Sequence, residues 1–308
     1  MFPFVASYLS APHISFAQLW FDTTSQKIFW DLRVTRYMLA FWIGASLSVS
    51  GVSFQSLLKN PLADPYILGV SGGAALGYVV AVVLGLPFVF YPLFGLVFAL
   101  LCLFGIYQLA REKGVLNTYT LLLTGIVFNS LSFALILLLN AMAPVQQAQQ
   151  ILFLLLGSLE ALPWAKLALL IILTASGSLI LLRKANILNI LSLGENQAFH
   201  LGIAIEKEKI AIFILTSVLV GSSVSLCGLI GFVGLFVPHL MRLLFGADHR
   251  QLVPACFLGG GIFLVLSEYL ASHLFAWDSL NTKLPVGVIT ALIGAPLFFI
   301  LLKRQSRT

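Results

Sequence analysis

Eight times between residues 37 and 302 the chain runs for about twenty residues with almost no charge. These runs lie near 37–58, 67–86, 88–109, 119–140, 162–182, 209–228, 253–275 and 284–302. A bilayer core about 30 Å thick takes about 20 apolar residues per helix. Within it, only helices and closed barrels satisfy every backbone N–H and C=O. The expected fold is therefore all-α, a polytopic membrane protein. A shorter segment, 231–245, follows the 209–228 run and is expected to cross at an angle or only partly, which brings the visible count to nine. With 60% hydrophobic and only 9% charged residues, against about 25% charged in a soluble domain, a soluble globular fold is excluded.

The whole of 1–308 reads as a single transmembrane domain. Its first 32 residues form a short N-terminal stub and an outer segment: Met1 to Leu9 is apolar, but Pro12, His13 and the polar run from Asp22 to Lys27 follow at once. That is too short to span, and it has neither the basic start nor the cleavage site of a signal peptide. Residues 183–209 form the longest hydrophilic interior segment.

The net charge of +6 comes from basic residues scattered singly between apolar runs, so no nucleic-acid partner is expected. Their role is to set topology. Between the first two spans lies Gln55-Ser56-Leu57-Leu58-Lys59-Asn60-Pro61-Leu62-Ala63-Asp64-Pro65-Tyr66-Ile67-Leu68-Gly69. Its two prolines and polar residues break the helix and force a turn at a membrane surface. With this turn in the cytoplasm and the spans alternating, twelve of the 17 basic residues fall inside. Lys27, Arg33, Arg36, Lys166 and Lys283 fall outside. The C-terminus is then cytoplasmic.

Gly44-Ala45-Ser46-Leu47-Ser48-Val49-Ser50-Gly51 echoes Gly221-Ser222-Ser223-Val224-Ser225-Leu226-Cys227-Gly228. One helix runs inward and the other outward, which is the pattern of an inverted repeat. Two unrelated helix interfaces rich in small residues also look alike, so both explanations stand at this point.

Motifs for chemistry are nearly absent. No phosphate loop occurs: Gly69 to Gly77 lacks the lysine and the preceding strand such a loop requires. Five histidines show no paired ligand spacing, and Cys102, Cys227 and Cys256 lie inside apolar runs as small packing residues. No His/Asp/Glu or Ser/His constellation supports an intramembrane enzyme. If transport costs ATP, another polypeptide hydrolyses it. Glu268 is the one acid deep inside an apolar span, a candidate for proton coupling or for structural pairing. Asn129, Ser130 and Ser132 put polarity on the 119–140 helix, which suits interhelical hydrogen bonding. Gly194, Glu195, Ala198, Leu201 and Gly202 belong to a short amphipathic helix in the 183–209 segment, because Ala198, Leu201 and Ile205 recur about one turn apart. Arg33 and Arg36, three residues apart, suit capture of carboxylates or anchoring of a helix end at the headgroups.

The turn carries Asn60-Pro61-Leu62-Ala63-Asp64-Pro65 and closely resembles the Asn-Pro-Leu-Ala-x-Pro signature of FecCD-type ABC importer permeases. Two further blocks resemble that family in the right order: Gly228 to Arg242, with Pro238, and Leu284 to Pro296, with Pro285 and Gly287. Gln55 and Gly69 complete the family motif. The resemblance runs from about Arg33 to Arg304. It implies a type II ABC importer permease fold with ten helices, one more than is visible here, and import of an iron–siderophore complex, haem or cobalamin. It implies no cofactor in this chain, with ATP and magnesium on partner ATPase subunits. It also implies a homodimer, a periplasmic or lipoprotein substrate-binding protein received by Arg33 and Arg36, and an ATPase groove that takes the Gly194–Gly202 helix. Asn129, Ser130 and Ser132 would then line the translocation path, surrounded by membrane lipid in a bacterial cytoplasmic membrane. The rival from another class is an ion-gradient-driven carrier using Glu268.

Overall fold

The computed structural model describes residues 2–9, 22–112, 115–194, 204–273 and 284–305. Its helices are α1 (Phe2–Leu9), α2 (Thr23–Leu57), α3 (Val70–Val83), α4 (Tyr91–Ala110), α5 (Thr118–Met142), α6 (Val145–Leu156), α7 (Trp164–Arg183), α8 (Ala185–Leu193), α9 (Ile205–Cys227), α10 (Val233–Phe245), α11 (His249–His273) and α12 (Val286–Gln305). Arg111–Glu112 and Val115–Leu116 pair antiparallel between α4 and α5. Among the described residues, six helices are long and apolar enough to cross a membrane and four more are apolar but shorter.

Each of the nine expected apolar segments contains a helix. The 67–86 run yields only the 14 residues of α3, and α10 has 13. At 1.5 Å per residue these reach about 20 Å, short of the hydrocarbon thickness. The missing length of the first is taken by the 3-10 turn Pro65–Leu68 and by Gly69, left-handed at φ 78°. Two helices were not foreseen. In α6, Gln146, Gln147, Gln149 and Gln150 dilute an apolar second half. In α8, Ala185, Leu188 and Leu191 are buried one turn apart. The stub α1 packs against α2 and α11, with Ala6 in the same apolar cluster as Tyr37, Ile43 and Leu264. Residues Ile28–Val34 of α2 form a wide π-helical stretch.

The repeat is real in three dimensions. Ser46 and Ser223 occupy equivalent positions, and Ser223 Oγ donates to Ser46 Oγ at 3.0 Å, which places the pseudo-two-fold axis between them. Around it the contacts come in matched pairs. A Cβ added to Gly260 of α11 would lie 2.5 Å from Ser48 Cβ of α2; one added to Gly95 of α4 would lie 2.7 Å from Ser225 Cβ of α9. Likewise Gly44 abuts Leu264 as Gly221 abuts Ala99. The repeat units are thus α2–α3–α4 and α9–α10–α11. Each unit's third helix packs on the other unit's first, and small residues let the backbones approach. Convergent composition alone would not generate these paired equivalences.

Candidate functional site

The family-motif residues build a corner, and each can be assigned a physical task. After α2 the chain turns at Lys59, which has φ 51°. Asn60 Oδ1 accepts the Leu62 N–H at 2.9 Å, and Asp64 Oδ1 accepts the Tyr66 N–H at 2.9 Å. These side-chain bonds replace the helical ladder where Pro61 and Pro65 break it. Burial without a cation pushes the Asp64 carboxyl up to about 6, because its charged form is poorly solvated there. The Tyr66 hydroxyl oxygen accepts the Ile230 N–H at 2.9 Å, tying the corner to the elbow between α9 and α10. Gly69 must be glycine twice over: its φ is positive, and a Cβ would lie 2.7 Å from the Gly125 carbonyl oxygen.

Pro238 acts at a distance of one turn. It cannot donate to the Gly234 carbonyl, and that oxygen is where a Cβ on Gly51 would collide. Gly234 itself has room for no Cβ, since Pro65 Cγ would be 2.6 Å away. Arg242 Nη2 donates to Gln55 Oε1 at 2.9 Å. At α12, Pro285 is buried, Gly287 N donates to Gly157 O at 3.2 Å, and a Cβ at Gly287 would overlap the Leu156 carbonyl. The motif is a set of backbone close approaches held by a few side-chain hydrogen bonds.

At the same end of the bundle a polar relay fixes α8. Asp248 Oδ1 accepts from Asn189 Nδ2 at 2.7 Å, which orients the amide. Asn189 Oδ1 therefore faces His249 and accepts its backbone N–H at 2.9 Å, with Nδ1 at 2.6 Å. An amide oxygen can only accept, so Nδ1 carries the proton and Nε2 receives the hydroxyl of buried Ser56, 2.5 Å away. Ser56 belongs to the last turn of α2. Beside it, Glu208 at the start of α9 pairs with Lys184. Glu206 Oε2 accepts the Leu116 N–H at 2.7 Å, and its Oε1 lies 3.5 Å from Nζ of buried Lys209. Sequence reasoning missed this relay, which joins positions 193 residues apart; the apolar spacing of α8 was the available signal.

The opposite end holds two neighbouring cavities. One, about 240 Å³, is lined by Tyr78, Tyr91, Gln150, Ser158 and Glu160. The other, about 510 Å³, is lined by Arg36, Ser158, Glu160, Glu268 and Pro285. Ser158 and Glu160 line both. Glu268 is 5% exposed and accepts from Ser272 Oγ at 3.3 Å. The sequence showed Glu268 without an acid or lysine in its own helix; the fold sets Arg36 from α2 on the same cavity wall. His273 stacks on Tyr269, ring centroids 4.2 Å apart.

The remaining expected residues fall as follows. Arg33 and Arg36 are both half-buried, Arg33 within the π-helical stretch. On α5, Asn129 and Ser132 turn inward onto Gly72 of α3, whereas Ser130 lies on the exposed face. Gly194 closes α8 with φ 127° and open space around it. Glu195, Ala198, Leu201 and Gly202 lie outside the described residues. Among the described residues no three His, Cys, Asp or Glu side chains group to hold a metal ion.

Residues 3–304 match the FecCD transport family. The chain is 37% identical to the hemin transport system permease protein HmuU of Yersinia pestis, over 96% of this chain and 90% of that one. It is 37% identical to the cobalamin import system permease protein BtuC of Halobacterium salinarum, over 99% and 82%. A solved structure described as a metal-chelate type ABC transporter in an inward-facing conformation superposes with a TM-score of 0.89 at 31% identity, over 98% of this chain and 95% of that one.

Proposed function

The chain belongs to the FecCD transport family, a family of ABC importer permeases, and from that premise we propose that it carries a metal chelate into the bacterial cytoplasm. The cargo class is an iron–siderophore complex, haem or cobalamin. The energy comes from ATP hydrolysed, with magnesium, on separate ATPase subunits. A periplasmic or lipoprotein binding protein delivers the cargo at the Arg33 and Arg36 end. Two copies of the chain surround the path, with the exposed α5 face carrying Ile126, Val127 and Ser130 toward the axis. The Asn60 end is cytoplasmic in this reading, which the distribution of Lys and Arg supports.

One observation supports this reading above the rest: α8, which leads directly into the Gly194–Gly202 segment, is locked to the last turn of α2 through Asn189, His249 and Ser56. A push delivered by an ATPase on Gly194–Gly202 therefore has a stiff route into the bundle. The permease side chains perform no covalent chemistry in this scheme; they position and release.

The test is uptake by the chain reconstituted with its ATPase and binding protein. Uptake that needs ATP and survives an uncoupler is the expected result. Uptake that collapses with an uncoupler while ATP is maintained, and is abolished by Glu268→Gln, would establish the gradient-driven carrier instead.

A further inference from the structure

An apolar groove runs between α7 and α11 on the outer surface of the bundle, with a volume of about 270 Å³. Its walls include Ser178, Leu179 and Leu182 of α7 and Pro254, Phe257 and Leu258 of α11. The far wall is stiff: the Phe257 ring meets Phe41 and Trp42 of α2 edge-on, with centroids 5.9 and 5.5 Å apart. The near wall is hollow because Ala175 and Ser178 are small. Gly177 is needed for the packing of α9 on α7, since a Cβ there would lie 2.9 Å from Leu219.

Two arginines stand within one turn of wall residues at one end of the groove. Leu182 adjoins Arg183, the last residue of α7, and Val253, also on the wall, lies one turn beyond Arg250. Both arginines are exposed. Arg250 Nε donates to Asn186 Oδ1 at 2.6 Å. Asn186 lies in the first turn of α8, three residues after Arg183, so the bond holds the Arg250 side chain against the α7–α8 junction at which Arg183 stands. It also leaves the terminal amino groups of Arg250 available for a planar, bidentate oxyanion. Of the neighbouring carboxylates, Glu208 pairs with Lys184, while Asp248 accepts from Asn189 Nδ2 and the Arg250 N–H and stays beside Arg250.

We propose that this groove is a specific site for one anionic phospholipid of the cytoplasmic leaflet, its acyl chain between α7 and α11 and its phosphate on Arg183 and Arg250. The leaflet assignment rests on the orientation proposed above; the site itself does not. Anionic lipid concentrates on that leaflet and is attracted by juxtamembrane Lys and Arg. The bound lipid would brace the α7–α8 junction from outside, where the relay through Asn189 braces it from within.

Native mass spectrometry of the full chain in mild detergent tests the idea, with phosphatidylglycerol and phosphatidylcholine of identical acyl chains as probes. The expected result is one phosphatidylglycerol retained per chain at about tenfold the occupancy of phosphatidylcholine, with no competition from free glycerol phosphate. Arg183→Glu combined with Arg250→Glu removes the preference. Leu258→Trp, which fills the groove and leaves both charges in place, removes retention. Equal retention of the two lipids, or retention unchanged in either variant, overturns the site; so does competition by free glycerol phosphate, which would make the mouth a simple anion site. Efficient cysteine cross-linking between copies at position 179 would show the face to be covered by a second chain and would also overturn it. An impermeant thiol reagent reporting position 183 as external would overturn the leaflet while leaving lipid retention to be judged separately.

Discussion

Replacing Asn189 with leucine keeps the bulk of the side chain and deletes its hydrogen bonds. Three contacts are lost: the two accepted from His249 at 2.9 and 2.6 Å and the one donated to Asp248 at 2.7 Å. At about 1 kcal/mol net each, the attachment of α8 weakens by about 3 kcal/mol. That corresponds to about a hundredfold rise in local opening. Amide hydrogen exchange over 185–193 should accelerate by that factor, while exchange in α4 and α5 stays unchanged. Asn186→Ala removes only the exposed bond to Arg250 and should change the same amides by no more than about threefold. With the ATPase bound, substrate moved per ATP should fall in Asn189→Leu and hold in Asn186→Ala. Equal exchange in the two variants would refute the relay as the element that fixes α8.

Three further outcomes are expected. Because burial raises the folded-state carboxyl of Asp64 to about 6 above its ordinary value near 4, the fold binds that proton more tightly than the unfolded chain does. This contribution is therefore most favourable below about pH 4 and is lost as pH rises to about 6. Asp64→Asn should flatten that slope in unfolding measurements and gain up to about 3 kcal/mol at neutral pH; an unchanged slope would show that the carboxylate is solvated. Gly234→Leu drives a side chain into Pro65 and should cost more than about 3 kcal/mol, read as loss of monodisperse protein in detergent, whereas Gly231→Ala, with open space around it, should purify normally. Arg33→Glu with Arg36→Glu should weaken capture of the binding protein while membrane insertion is unaltered; equal capture would reassign Arg36 to the Glu268 cavity alone.

The spans were legible because a bilayer imposes one length on every apolar run, and the Asn60–Pro65 break was legible because proline cannot continue a helix. The α6 helix escaped because its first half is glutamine-rich, so a window of bilayer length dilutes its apolar end. The α8 helix carried a readable signal in Ala185, Leu188 and Leu191, but the two glycines drew attention to Gly194–Gly202 instead. The family motif was recognisable by its letters, yet its meaning was not. That Pro238 frees the very carbonyl on which Gly51 rests depends on a contact between α2 and α10, which no local pattern encodes. The placing of Arg36 and Glu268 on one cavity, and the meeting of Ser56 with His249, are likewise decided by packing between distant segments.

The hydroxyl pair Ser46–Ser223 has a consequence for motion. Since α4 is clasped by α9 and α11 by α2, the two halves of the chain are interleaved like folded hands, and neither can swing without dragging the other. A rocker hinged between internal repeats would have to break the α4–α9 and α2–α11 contacts first. In the proposed pair of chains, opening during transport would then fall between one whole chain and its neighbour, with the apolar face of α5, which the interleaving leaves outside, at the seam.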